Sequence, residues 1–141
     1  MRYPDWPERL ARRIERDATV AFAWGSVDCV TWACRVCEEL CGVNPSRGFL
    51  TAYHDAQSAM SNVLQHGTSL FEATRTAGRM HGLLEVPPQQ AQRGDLVLCA
   101  LGPKSRFGGL LAVVVGAYAV APGRHGLRKI SLRKAVLAWR V

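Results

Sequence analysis

The stretch that decides the fold is Phe22-Ala23-Trp24-Gly25-Ser26-Val27-Asp28-Cys29, followed at once by an apolar helical pattern. Val30, Ala33, Cys34, Cys37, Leu40 and Cys41 recur at the spacing of one helix face. The helix is expected from about Asp28 to Leu40, stopped by Gly42 as a C-cap. Being apolar over most of its surface, it should be the central buried helix. Cys29 then stands at its N-terminus, where the helix dipole favours ionisation of a thiol. A thiol so placed suggests a nucleophile.

Working outward, Asp5 to Asp17 reads as a first helix with Trp6, Leu10 and Ile14 on one face and arginines on the other. After Gly42 come a loop at 44–48, a third helix over about 52–65 and a fourth over about 69–79. Ser69 and Glu72 have capping-box spacing at the start of the fourth. Pro87-Pro88 then breaks the chain, and its character changes. Gln92-Arg93-Gly94-Asp95 is a turn into the strand pattern 96–101. Further strands are expected at 110–115, 117–121, 127–132 and 135–141. Helices first and an antiparallel meander of four or five short strands afterwards make an α+β domain. One domain over 1–141 is expected, with a helical part at about 5–80 and a sheet part at about 83–141.

Composition excludes several classes. The 141 residues are 48% hydrophobic and 21% charged, a globular balance. No apolar run approaches the ~20 residues of a membrane helix. Met1 to Trp6 is polar and Pro-interrupted and does not read as a secretory signal. The net charge is +7, from 18 Lys and Arg against 11 Asp and Glu. No aromatic-interleaved stripe accompanies the cations, so a basic surface docking on an acidic partner is expected before specific nucleic-acid binding.

The five cysteines require a choice. Cys29, Cys34 and Cys37 have the C-x4-C-x2-C spacing of an iron–sulfur ligand set. Such ligands sit on loops, whereas this segment reads as a helix. Cys34, Cys37 and Cys41 are therefore expected as buried small hydrophobes, reduced and metal-free, with Cys99 in a strand core. No cofactor or metal is expected.

A cysteine at the start of a central helix, followed by a Gly-Asp turn opening a small antiparallel sheet, resembles the papain-like fold of the NlpC-type cell-wall cysteine peptidases. Asp28-Cys29 matches their nucleophile pair, and Arg93-Gly94-Asp95 matches the turn that begins their sheet. The chain also looks like a family of small phage tail-associated proteins, found in prophages and gene-transfer particles too. Those share the Phe-x-Trp-Gly-x-x-Asp-Cys block, a Gly-Leu turn after the meander (Gly126-Leu127) and a terminal Ala-Trp-Arg (Ala138-Trp139-Arg140).

The resemblance implies a catalytic histidine opening the strand 110–115, yet Leu110 occupies that position. The third polar residue would fall near Val120 or Ala121, both apolar. A cysteine nucleophile needs a base in reach, and the base needs an orienting group. His54, His66 and His81 read as helix-end or connecting residues, and His125 lies in the turn 122–126. His125 is the remaining candidate base, because it belongs to the sheet half. Two readings of Cys29 stay open: a nucleophile, or a small residue at a tight helix start beneath Trp24 with Asp28 as the cap.

The resemblance thus implies a phage or prophage tail-assembly protein, near the tail tip, on a degenerate hydrolase scaffold. Its partners would be other tail or baseplate proteins, and its place the virion or the host cytoplasm during assembly. The alternative is an active cysteine endopeptidase or amidase that uses Cys29 to cut peptidoglycan peptide crosslinks. Trp6 and Trp139 are candidate interface anchors, or core residues where the chain ends meet.

Overall fold

The computed structural model describes residues 1–141. Four helices come first: α1 (Trp6–Asp17), α2 (Cys29–Cys41), α3 (Ala56–Leu64) and α4 (Leu70–Met80). Six strands follow: β1 (Leu84–Val86), β2 (Leu96–Ala100), β3 (Gly109–Val114), β4 (Tyr118–Gly123), β5 (Gly126–Ser131) and β6 (Ala135–Arg140). All pair antiparallel, in the order β1-β6-β2-β3-β4-β5. The α+β class stands, but the sheet is larger than a meander of four or five strands. β2 to β5 do meander, and β6 then returns to the far side of β2 and pairs there with the short β1.

Helix α2 forms because nearly every side can be buried. Trp32, Ala33, Cys34, Val36, Cys37 and Leu40 are all at most 3% exposed. Asp28 caps its start, and Gly42 ends it in the left-handed conformation at φ +79°. It packs on β3, with α1 against its other side. Leu10 of α1 is fully buried there, and Trp6 and Ile14 pack around it. Helix α3 starts later than the sequence pattern implies. Asp55 accepts from the Ser58 N–H at 2.7 Å while the Ser58 hydroxyl reaches back to the Asp55 N–H, so the helix begins at Ala56.

The strands alternate between two faces. Leu96, Leu98, Leu111, Val113, Val120, Leu137 and Trp139 face the helices. The other face carries short side chains, Val97, Ala112, Ala119, Ala121 and Ala138 among them, each at most 1% exposed. Of the four α-helices, α2 reaches that face with Cys29 at its start. Val86, Leu101 and Leu132 also pack against it, and the small residues let the layer stay thin.

Asp95 ties the two chain ends to the sheet. Its carboxylate is fully buried and accepts from Arg2 Nη2 at 2.5 Å, from the Gln92 N–H at 2.8 Å and from the Val141 N–H at 3.2 Å. Arg140 stands 3.4 Å away. Trp6 lies over this turn with the Arg2 guanidinium 4.2 Å from its ring centre. Its indole would sit 3.0 Å from a Cβ at Gly94, which has φ +90°, so the Arg93-Gly94-Asp95 turn needs glycine twice over. Trp139 is 2% exposed and fills the core against Gly78 of α4, so it is not a surface anchor.

Candidate active site

The Trp24–Cys29 block is a capped turn. Gly25 has φ +81°, and a Cβ there would lie 2.4 Å from the Tyr53 carbonyl oxygen. Asp28 is 2% exposed and saturated with donors. Its Oδ1 accepts from the Thr31 N–H at 2.9 Å. Its Oδ2 accepts from the Gly25 N–H at 2.8 Å, the Thr31 hydroxyl at 2.9 Å and the Tyr53 hydroxyl at 2.7 Å. Tyr53 lies in the segment before α3 and clamps the helix start from across the chain. Burial, with the neighbouring Asp28 carboxylate adding to it, raises the Tyr53 phenol well above its ordinary value. The sequence drew no attention to Tyr53, because a contact 25 residues away leaves no local pattern.

Cys29 lies on the wall of a cavity of about 220 Å³. The cavity runs beneath α3 and α4, whose Ala59, Val63, Leu70 and Ala77 roof it. Trp139, Leu96, Leu110 and Leu111 form the sheet side. At one end Phe22, Trp24, Phe107 and Arg128 gather. Phe22 meets Trp24 edge-on at 4.8 Å between ring centres, and Trp24 tilts against Phe107 at 5.9 Å.

The thiol is partly accessible through this cavity, but protein surrounds it on the other sides. Burial pushes it up to about 11. The Leu111 amide and the amides at the helix start act in the opposite direction, and the Asp28 charge adds to the rise. At this thiol desolvation therefore outweighs the helix dipole. The order reverses at the other end of α2. Cys37 and Cys41 bring their sulfurs to 3.8 Å. Cys37 is buried and its ionisation is driven up, while the half-buried Cys41 is drawn down by that contact and by the nearby α-amino group and Arg2. Cys34, Cys37 and Cys99 are buried free thiols as expected, whereas Cys41 is only half-buried because it occupies the last turn. No three metal-ligating side chains converge anywhere.

The histidines take separate places. His125 is exposed in the β4–β5 turn; it neither lines the cavity nor bonds to Cys29. His54 is exposed, just ahead of the Asp55 cap, and 3.6 Å from that carboxylate. His81 ends α4, and its Nε2–H donates to the Arg47 carbonyl at 2.9 Å. His66 alone of the four lines the cavity that Cys29 lines, and its ring packs against Phe49 at 4.7 Å between centres. It makes no hydrogen bond with Cys29. Leu110, 4% exposed, lines the same cavity as Cys29, and Val120 and Ala121 are buried in the two cores.

The chain belongs to the family described as "domain of unknown function (DUF6950)", which matches residues 1–141. Among solved structures, it is similar to the NlpC/p60 domain of the peptidoglycan hydrolase SagA. That likeness has a TM-score of 0.54 at 13% identity and covers 96% of this chain and 98% of that one. At so low an identity it establishes the fold: a papain-like, NlpC-type α+β architecture. No curated protein matches the sequence.

Proposed function

We propose that this DUF6950 chain is a phage or prophage tail-assembly protein, a docking module near the tail tip on a papain-like scaffold that has lost hydrolysis. One observation carries the second half of that reading. Where the NlpC-type resemblance asks for a histidine opening β3, Leu110 stands in the apolar cluster that a half-buried Cys29, its thiol pushed up to about 11, packs against. Without a base in reach, the thiol stays protonated and has no route to attack a carbonyl. The tail role is supported by the Phe-x-Trp-Gly-x-x-Asp-Cys block and the terminal Ala-Trp-Arg. Its partners would be other tail or baseplate proteins, and it would reside in the virion or in the host cytoplasm during assembly.

The architecture gives that block a purpose independent of chemistry. Gly25, Asp28, Thr31 and Tyr53 lock the start of α2, and a docking module needs that rigidity as much as an enzyme does. The test is affinity capture of the tagged protein from a lysate that makes whole particles. Stoichiometric recovery of tail or baseplate subunits is expected; recovery of the chain alone, with none in purified particles, would refute the assembly role.

A second reading has one observation of its own. His66 shares the cavity with Cys29, and the fold is that of a domain whose title names a peptidoglycan hydrolase. On that reading the chain is a cysteine endopeptidase or amidase of peptidoglycan crosslinks, with α3 and α4 shifting to bring His66 to the thiol.

A further inference from the structure

We infer that the cavity beneath α3 and α4 is a binding site for a small anionic amphiphile, an alkyl chain of medium length ending in a carboxylate, whose head group is held by Arg128. This ligand role does not rest on the tail-assembly reading and would hold for a free protein or an assembled one.

The volume sets the size class. About 220 Å³ exceeds the ~150 Å³ of an apolar cavity that holds benzene and falls below the ~300–1,000 Å³ of sites for drug-sized ligands. The lining sets the chemistry, because most of the residues around the cavity are hydrophobic. A peptidoglycan peptide, rich in amides and carboxylates, would leave its polar groups unpaired inside such a wall. A chain of methylenes would not.

Charge sets the head group. Asp28 is the one carboxylate on the lining, and its oxygens already accept four hydrogen bonds. It has no capacity left for a cationic ligand. Arg128 is different: its stem runs along Gly123 of β4 and lines the cavity, the residue as a whole is exposed, and no carboxylate pairs with it. A side chain so placed can border a hydrophobic site with its apolar stem and keep its cation in water. The surroundings reinforce it. Beyond Asp95 the sequence contains three lysines and five arginines and no acidic residue, and of these eight cations only Arg140 is paired. The field over the sheet half is therefore positive, and an anion is drawn to this side of the molecule.

The experiment uses the full chain and its intrinsic fluorescence, since Trp24 and Trp139 both line the cavity. Decanoate, decanol and decyltrimethylammonium are titrated below their aggregation concentrations. Decanoate is expected to bind saturably at one site, decanol more weakly, and the cationic analogue weakest. Along the series from hexanoate to decanoate, affinity should rise about fourfold per methylene until the chain outgrows the cavity. Arg128→Glu should weaken decanoate about tenfold and leave decanol unchanged. Ala73→Phe, which projects from α4 into the cavity, should weaken both. Because Ala73→Phe risks the packing, Arg128→Glu at the exposed opening carries the decision. If an apolar side chain of a partner protein is the true occupant, the three head groups bind alike and Arg128→Glu changes nothing; that result, or no saturable binding by any of the three, overturns the inference.

Discussion

At the scale of single residues, Asp28 and Cys29 are sequence neighbours with opposite environments. The carboxylate is buried but fully bonded, while the thiol is half-buried against the apolar walls of the cavity. Asp28→Ala removes an N-cap, strands the Gly25 amide and leaves the Tyr53 hydroxyl with Thr31 alone, so it should cost about 2–4 kcal/mol in urea unfolding. A loss below ~0.5 kcal/mol would show that the helix start is held by something else. For Cys29 the expected outcome is kinetic. A thiol raised to about 11 is almost wholly protonated at pH 7, and its thiolate fraction grows tenfold per pH unit as that value is approached. Alkylation with iodoacetamide, read by mass spectrometry, should therefore be slow at Cys29 at pH 7 and still accelerating above pH 9. Cys41, drawn down by its sulfur contact and nearby positive charges, should be modified first at neutral pH. Cys29 labelling that levels off near pH 8 would contradict the raised thiol. None of this is visible in local sequence. Position 29 at a helix start was legible from the apolar stripe and Gly42, but the desolvation comes from β3 and from the loops before α3, which are distant in the chain.

Among the elements, α2 and α3 mark the extremes of burial. Most of α2 is enclosed between α1 and the sheet, whereas α3 buries only Ala59 and Asn62 and otherwise roofs a cavity. Opening α3 exposes little apolar surface, so its amides should exchange hydrogen fastest among the four helices and those of α2 slowest. Equal protection of the two would mean that the roof is as firmly packed as the core. These elements were unequally readable for the same reason. α2 announces itself because an all-apolar helix with a cap at each end has one interpretation. β1 does not, because three residues ahead of Pro87-Pro88, two of them exposed, gain strand structure only by pairing with β6 more than 50 residues on. The start of α3 was misplaced because Asp55 was not given its capping role. The cavity could not be read at all, since helices, strands and loops far apart in the chain build it together.

Over the whole molecule, the two chain ends and the sheet meet at one buried carboxylate. Arg2 donates to Asp95, to the Arg93 carbonyl and to the Val141 carbonyl, so the first residues of the chain close the structure around its last. Arg2→Ala should destabilise the protein by about 2–3 kcal/mol, less than for a wholly unpaired buried charge because Arg140 and two backbone amides remain. A change within ~0.5 kcal/mol would show that Arg140 alone suffices. The same architecture frames the functional question, because the scaffold resembles a peptidoglycan hydrolase domain while the wall around Cys29 is apolar. The most direct measurement is turnover of purified peptidoglycan peptide fragments by the isolated protein and by its Cys29→Ser variant under reducing conditions. The account predicts no cleavage above the protein-free control for either protein; cleavage by the native chain that disappears in Cys29→Ser would contradict it.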